Sequence, residues 1–154
     1  MRRAFLLLLV AYSLPGLAAK RLNDYAAMSR ALDSGQSVRI VVQYAKTKLV
    51  IEGKEEEAPN AVGGMVVLAW ERFERGVVRN AKAYVSTSET VLIAHPSYGY
   101  VQNYVRFRLY EDNTVQITAR YLKPNTLEVV MDETFEGRIS NGKDKEGVSV
   151  FAAD

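Results

Sequence analysis

Between residues 101 and 136 the chain alternates apolar and polar side chains, and that period of two restricts it to antiparallel β structure. Val101, Val105, Phe107 and Leu109 fall on one face, with Gln102, Arg106 and Arg108 on the other. Val115, Ile117, Ala119 and Tyr121 repeat the pattern, and Leu127, Val129, Met131 and Phe135 repeat it again, with Glu133 as an interruption. Successive side chains of a strand point to opposite faces, so such segments are half-buried strands and the turns between them set the register. A two-residue turn would bring Leu109 against Gln116, apolar against polar. A three-residue loop, Glu111-Asp112-Asn113, brings Leu109 opposite Val115 and Phe107 opposite Ile117. That loop wants a left-handed third residue, which asparagine tolerates. Asn113→Gly is expected to be neutral or slightly stabilising, because glycine accepts a left-handed conformation freely, and Asn113→Val clearly destabilising, because a β-branched residue does not.

The rest of the chain is less regular. Asn23 is a suitable N-cap with Asp24 in the first turn, Tyr25, Met28 and Leu32 recur at helical spacing, and Gly35 is a stop, which predicts one helix. Val38, Ile40, Val42 and Tyr44 alternate with Arg39 and Gln43 as a strand, and residues 48–52 continue it or form another. Residues 53–64, with Lys54-Glu55-Glu56-Glu57, Pro59 and Gly63-Gly64, read as a mobile solvated loop. Residues 65–73 are apolar on both faces, as in a strand covered on both sides. Residues 77–85 and 90–95 are further strand candidates, 95–100 a loop, 123–126 and 142–147 turns, and 148–152 a last strand. The reading is α+β, predominantly antiparallel β: one N-terminal helix followed by about eight strands, forming a curved sheet or a closed barrel.

The opening residues address compartment. Arg2-Arg3, an apolar run to Leu14, and Pro15-Gly16-Leu17-Ala18-Ala19 make a positive segment, a short hydrophobic helix and a small-residue end, as in a cleavable export signal. Small residues at Gly16 and Ala18 place the cut between Ala18 and Ala19, giving residues 1–18 as signal peptide and 19–154 as a single domain. The apolar run falls short of the roughly 20 residues a spanning helix needs, so no membrane span is expected after cleavage. The product is expected to be secreted or periplasmic. Without cysteine, the chain has no disulfide, thiol nucleophile or zinc-thiolate site. Two of its 20 basic side chains, Arg2 and Arg3, lie in the opening segment; the remainder balance 18 acids, which gives no electrostatic footprint for nucleic acid.

Several of these residues recur in a known pattern. Tyr25 with Ala31-Leu32, Gly35 and Val38-Arg39, the Gly63-Gly64 pair before Trp70-Glu71, and the hairpin from Tyr104 to Tyr121 with Tyr110-Glu111-Asp112-Asn113-Thr114-Val115 at its turn resemble the VirK family of small exported proteins. The resemblance runs over nearly the whole of residues 19–154. It implies an exported accessory protein associated with virulence regulons, without an agreed biochemical activity, so no functional residue carries over. A cysteine that family members often carry after the first strand is replaced by Ala45-Lys46-Thr47-Lys48.

Residues able to do chemistry are sparse. His95, the only histidine, lies beside Pro96 without an evident partner and reads as a loop residue. Glu71 and Glu74, three apart on a strand, point to opposite faces and cannot flank one bond. Ser86-Thr87-Ser88 has no base nearby and reads as a turn or strand edge. Gly63-Gly64 precedes a strand rather than following one, the wrong context for a phosphate loop. Tyr98, Tyr100 and Tyr104 with Trp70 form an aromatic group that suits either packing or contact. Tyr104, Arg106, Arg108 and Tyr110 share the polar face of one strand, where tyrosine and arginine favour recognition. The expectation is a non-enzymatic protein, without metal or cofactor, that binds an unknown protein or envelope component through a surface drawn from Trp70, Tyr104, Arg106, Arg108 and Tyr110. The alternative is a small β-barrel carrier for an apolar ligand, which would need an enclosed cavity on the order of several hundred Å³.

Overall fold

The computed structural model describes residues 19–153; the signal-peptide expectation for residues 1–18 lies outside them. Ala19 is exposed and leads directly into the first strand. Eleven strands and one α-helix follow in the order β1 (Lys20–Leu22), α1 (Tyr25–Asp33), β2 (Ser37–Gln43), β3 (Lys48–Ile51), β4 (Lys54–Glu56), β5 (Val62–Val67), β6 (Trp70–Phe73), β7 (Tyr84–His95), β8 (Gly99–Tyr110), β9 (Thr114–Leu122), β10 (Val129–Arg138) and β11 (Val148–Ala153). They form two antiparallel sheets, a small one ordered β1-β11-β2-β5 and a large one ordered β4-β3-β10-β9-β8-β7-β6. Neither sheet closes. The barrel alternative fails at the connection from β5 to β6, where the chain leaves one sheet for the other.

That connection also corrects the continuous strand expected over residues 65–73. Leu68 is 85 % exposed at the corner, and the buried Thr87 hydroxyl donates to the Ala69 carbonyl (2.7 Å), which fixes the crossover. An apolar residue at a bend has the same composition as one in a strand, so the break leaves no mark on the hydropathy.

One core lies between the facing sides of the sheets. The small sheet supplies Val38, Ile40, Val42, Val148 and Val150; the large sheet supplies Val85, Phe107, Leu109, Ile117 and Phe135. Burial of each such side chain stabilises by about 1.5–3 kcal/mol. Helix α1 packs on β1, β2 and β11 and buries Tyr25, Met28, Ala31 and Leu32 in the same cluster. Its N-cap is Asp24 rather than Asn23: the Asp24 carboxylate accepts from the Ala27 amide at 2.7 Å. A second clamp joins the helix to the large sheet, because Arg72 of β6 donates to Ser29 Oγ (2.8 Å) and Asp33 Oδ2 (2.6 Å).

The β8–β9 hairpin has the register its alternation predicts, Leu109 opposite Val115 and Phe107 opposite Ile117, with Asn113 left-handed at φ 68°. Elsewhere the strands exceed the expected number. The loop read over residues 53–64 contains β4, paired with β3 across a tight turn at Glu52 and Gly53, and the start of β5. Residues 84–95 form one long strand where two were expected, and residues 77–83 are irregular. Gly63 and Gly64 lie inside β5, packed against Tyr44 and the backbone of β2.

Candidate functional site

Cross-strand partners share a face, so the register sorts every side chain of the large sheet. Residues level with Phe107 and Leu109 face the core. Tyr104, Arg106, Arg108 and Tyr110 face away from it, beside Thr90, Ser88, Ser86 and Tyr84 of β7 and, for the first three, Arg120, Thr118 and Gln116 of β9. The helix packs on the core side and leaves this outer face uncovered.

The aromatic and cationic groups there are organised. Tyr84 stacks on Phe73 (ring centroids 5.0 Å apart) and tilts against Tyr110 (5.6 Å). The Arg108 guanidinium carbon lies 5.4 Å from the Tyr84 ring centroid, within cation–π range. Arg120 is neutralised by Asp132 (3.0 Å), whose hydrogen bond raises its pKa. Arg106 reaches only the Thr118 hydroxyl, at 3.5 Å, and Arg108 makes no ion pair or hydrogen bond among the described residues. The Nε atoms of both arginines are buried without a partner among the described residues. An arginine presents five fixed donors in a planar fork, a geometry that a carboxylate or phosphate can match, and neither guanidinium group has an ion pair among the described residues.

Three open depressions adjoin this row. One of about 650 Å³ is lined by Phe73, Lys82, Tyr84, Arg108 and Tyr110; one of about 550 Å³ by Lys48, Tyr110, Gln116 and Arg138; another of about 550 Å³ by Arg106, Thr118, Arg120 and Asp132. All open to solvent across the sheet surface.

The sequence grouped other residues differently. Trp70 does not belong to this surface: it pairs with Thr87, level with Phe107, and packs against the core. Tyr98 joins His95 (4.9 Å) and Tyr121 (5.9 Å) at the far end of β7 and β8, while Tyr100 stands 71 % exposed and apart from them. His95 ends β7, and its Nδ1 accepts from the Ser97 amide (3.1 Å). Glu74 lies past the end of β6, held by Arg72 (3.2 Å), so it forms no pair with Glu71. Ser86, Thr87 and Ser88 lie within β7, not in a turn; Ser86 and Ser88 face Arg108 and Arg106, with no hydrogen bond to a base among the described residues. Tyr84 and Phe73 escaped the sequence reading. Extending the β7 alternation back from Thr90 through Ser88 and Ser86 reaches Tyr84, but those serines mask the strand.

Two further titrating groups lie off this face. Burial raises the pKa of Glu133, which is level with Ala119 on the core side, and that of Tyr44. Among the described residues no group of three or more acidic or histidine side chains is placed to hold a metal ion, and no helix is long and apolar enough to cross a membrane.

The fold and site define an open, two-sheet antiparallel domain with one short helix and a tyrosine- and arginine-rich outer face. The chain belongs to the VirK family, whose model, described as VirK protein, matches residues 21–127. The same fold occurs in the crystal structure of a VirK family protein from Legionella pneumophila, at 16 % identity with a TM-score of 0.66 over 86 % of this chain and 99 % of that one. No curated protein matches the chain.

Proposed function

We propose that this VirK family chain is a non-enzymatic, exported accessory protein, secreted or periplasmic and associated with virulence or host interaction, that recognises a protein or envelope partner through the outer face of its large sheet. The observation that carries this reading is the row Tyr104, Arg106, Arg108 and Tyr110, with two arginines that make no ion pair among the described residues and Tyr84 beside them. Tyrosine and arginine dominate binding energy at interfaces because each combines a large contact area with directional donors. A binding role is favoured over a chemical one because the serines of this face meet arginines rather than a general base. The open sheets give no support to the carrier reading.

The test is recovery of partners from the native envelope fraction by the wild type and by Arg106→Ala/Arg108→Ala, side by side. Loss of the same species from a variant with an unchanged circular dichroism spectrum is the expected result. Undiminished recovery by a folded variant removes this face from consideration. Export is tested separately by N-terminal sequencing of the protein outside the cytoplasm, which is expected to begin at Ala19; retained Met1 overturns it.

A further inference from the structure

Strand β6 pairs with only the first part of β7, from Phe73 opposite Tyr84 to Trp70 opposite Thr87. Beyond Thr87, β7 continues to His95 with β8 on one side. No backbone hydrogen bond reaches Ser88 to His95 from outside that ladder among the described residues. The open edge reads Ser-Glu-Thr-Val-Leu-Ile-Ala-His, with Val91 47 % and Leu92 60 % exposed. Natural edges are blunted by charge, proline or brevity. The other half-open strand of this sheet follows that rule: β10 is paired with β3 only at Thr134, Phe135 and Glu136, and its free half carries Asp132 and Glu133. The edges β4 and β6 are short, and β5 opens on Val62-Gly63-Gly64. From Thr90 to Ala94, β7 has none of these protections.

We infer that this edge is a homodimer interface, in which β7 pairs antiparallel with β7 of a second copy about a two-fold axis through Leu92. The occupant is argued from the sequence of the edge itself. A two-fold perpendicular to a sheet makes opposite residues share a face, so the axis must pass through a residue. Centred on Leu92, Val91 meets Ile93 of the partner subunit, Thr90 meets Ala94 of the partner subunit, and Glu89 meets His95 of the partner subunit. Three apolar pairs, Leu92 with its own copy and Val91 with Ile93 on either side of it, are flanked at each end by Thr90 with Ala94 and then by an acid against an imidazole. Centred on Val91, His95 would fall opposite Thr87, which Trp70 already occupies. Centred on Ile93, the pairing would shorten and leave Glu89 without a counterpart. Leu92 is therefore the centre that pairs the free edge from Glu89 to His95, bounded by β6 at one end and Pro96 at the other. Such an axis keeps both outer faces on the same side. The assembly then carries two copies of the Arg106 and Arg108 row on one continuous sheet, an arrangement suited to multivalent contact.

Sedimentation of the purified protein over a concentration series tests the inference. The wild type is expected to sediment as a dimer. Leu92→Lys, which sets two ammonium groups against each other at an exposed position, is expected to sediment as a monomer with an unchanged spectrum. The absence of native cysteine permits a register test. Leu92→Cys is expected to cross-link to dimer under mild oxidation, because directly opposite residues lie about 4.5–5.5 Å apart, within disulfide range. Thr90→Cys is expected not to, since its counterpart is displaced by roughly 13 Å along the strand. A folded wild type that stays monomeric at every concentration overturns the inference. So does a dimer that survives Leu92→Lys, or one in which Leu92→Cys fails to cross-link. A monomer whose amides from Ser88 to His95 gain exchange protection only on adding envelope extract also overturns it, by showing a foreign strand there. None of these outcomes depends on Arg106 or Arg108.

Discussion

The backbone amide of Tyr25, the first residue of helix α1, donates to the side-chain oxygen of Asn113 at 2.8 Å, across 88 positions of sequence. Asn113 is the left-handed residue of the β8–β9 turn, and its own carbonyl accepts from the Ile139 amide at 2.9 Å. One side chain therefore joins the hairpin to a helix N-terminus, where amides otherwise lack partners. This revises the expectation that Asn113→Gly is neutral. Glycine keeps the backbone conformation but loses the acceptor, so it is expected to destabilise by about 1 kcal/mol. Asn113→Asp keeps both and is expected to stay within about 0.5 kcal/mol of the wild type. Asn113→Val loses the acceptor and is strained, for about 2–4 kcal/mol in total. Urea denaturation ranks the three; equal midpoints for the Gly and Asp variants would show that the Tyr25 contact contributes nothing.

Gly64 allows β5 to lie close on β2. A Cβ at this position would stand 2.5 Å from the Ile40 carbonyl oxygen, a backbone atom that cannot swing aside. Gly64→Ala is expected to cost about 2–3 kcal/mol, on the scale of overpacking. At Gly63 the nearest atom is the Tyr44 ring edge at 3.1 Å, part of a side chain that can yield, so Gly63→Ala is expected to cost less. Thermal melts of the two variants check the order; the reverse order refutes the backbone-contact argument.

What was legible in the sequence follows from where a single period governs the chain. The β8–β9 hairpin was readable in register because both strands bury one face and solvate the other, and Asn113 marked the turn. The outer-face row of Tyr104, Arg106, Arg108 and Tyr110 came with it. Trp70 was misplaced because its face depends on which sheet β6 joins, and that is decided at Leu68 and Ala69 by a crossover held from Thr87. Strand β4 was hidden because a short exposed edge strand of Lys54, Glu55 and Glu56 has the composition of a loop. The middle of β7, Ser86 to Glu89, was hidden because serine, threonine and glutamate carry no hydrophobic contrast.

Asp112 gives the turn a pH dependence. Its carboxylate accepts from Lys82 Nζ, the Thr114 hydroxyl and the Thr114 amide, and these lower its pKa from 3.8 to about 2. A folded-state value below the unfolded one means that the charged form stabilises the fold. The contribution is complete above about pH 4 and is lost as the pH falls through about 2. The side chain is 39 % exposed, so solvent screening reduces the effect to about 1 kcal/mol. Asp112→Asn is expected to be less stable than the wild type by about that amount at pH 7 and equal to it below about pH 2. A difference that stays constant with pH would remove the carboxylate as its source.

Arg106 and Arg108 set stability against the recognition proposed for their face. Each holds a buried Nε without an acceptor among the described residues, and a buried donor left unmade costs on the order of 1 kcal/mol or more. Their alkyl stems nevertheless cover the sheet, so truncation to alanine would lose packing as well as charge. Methionine keeps an unbranched apolar stem and removes the donor. Arg108→Met and Arg106→Met are therefore expected to melt at or above the wild-type temperature. If the outer face binds an anionic group of a partner, the same variants lose that binding, while Arg108→Lys retains part of it, as a point charge without the planar fork. Melting curves and partner recovery on one set of proteins separate the outcomes. Variants that are less stable and still bind would make these arginines structural, with their stems as the part that matters. Variants that are more stable and no longer bind would show an unsatisfied guanidinium kept at a cost to the fold for the sake of the partner.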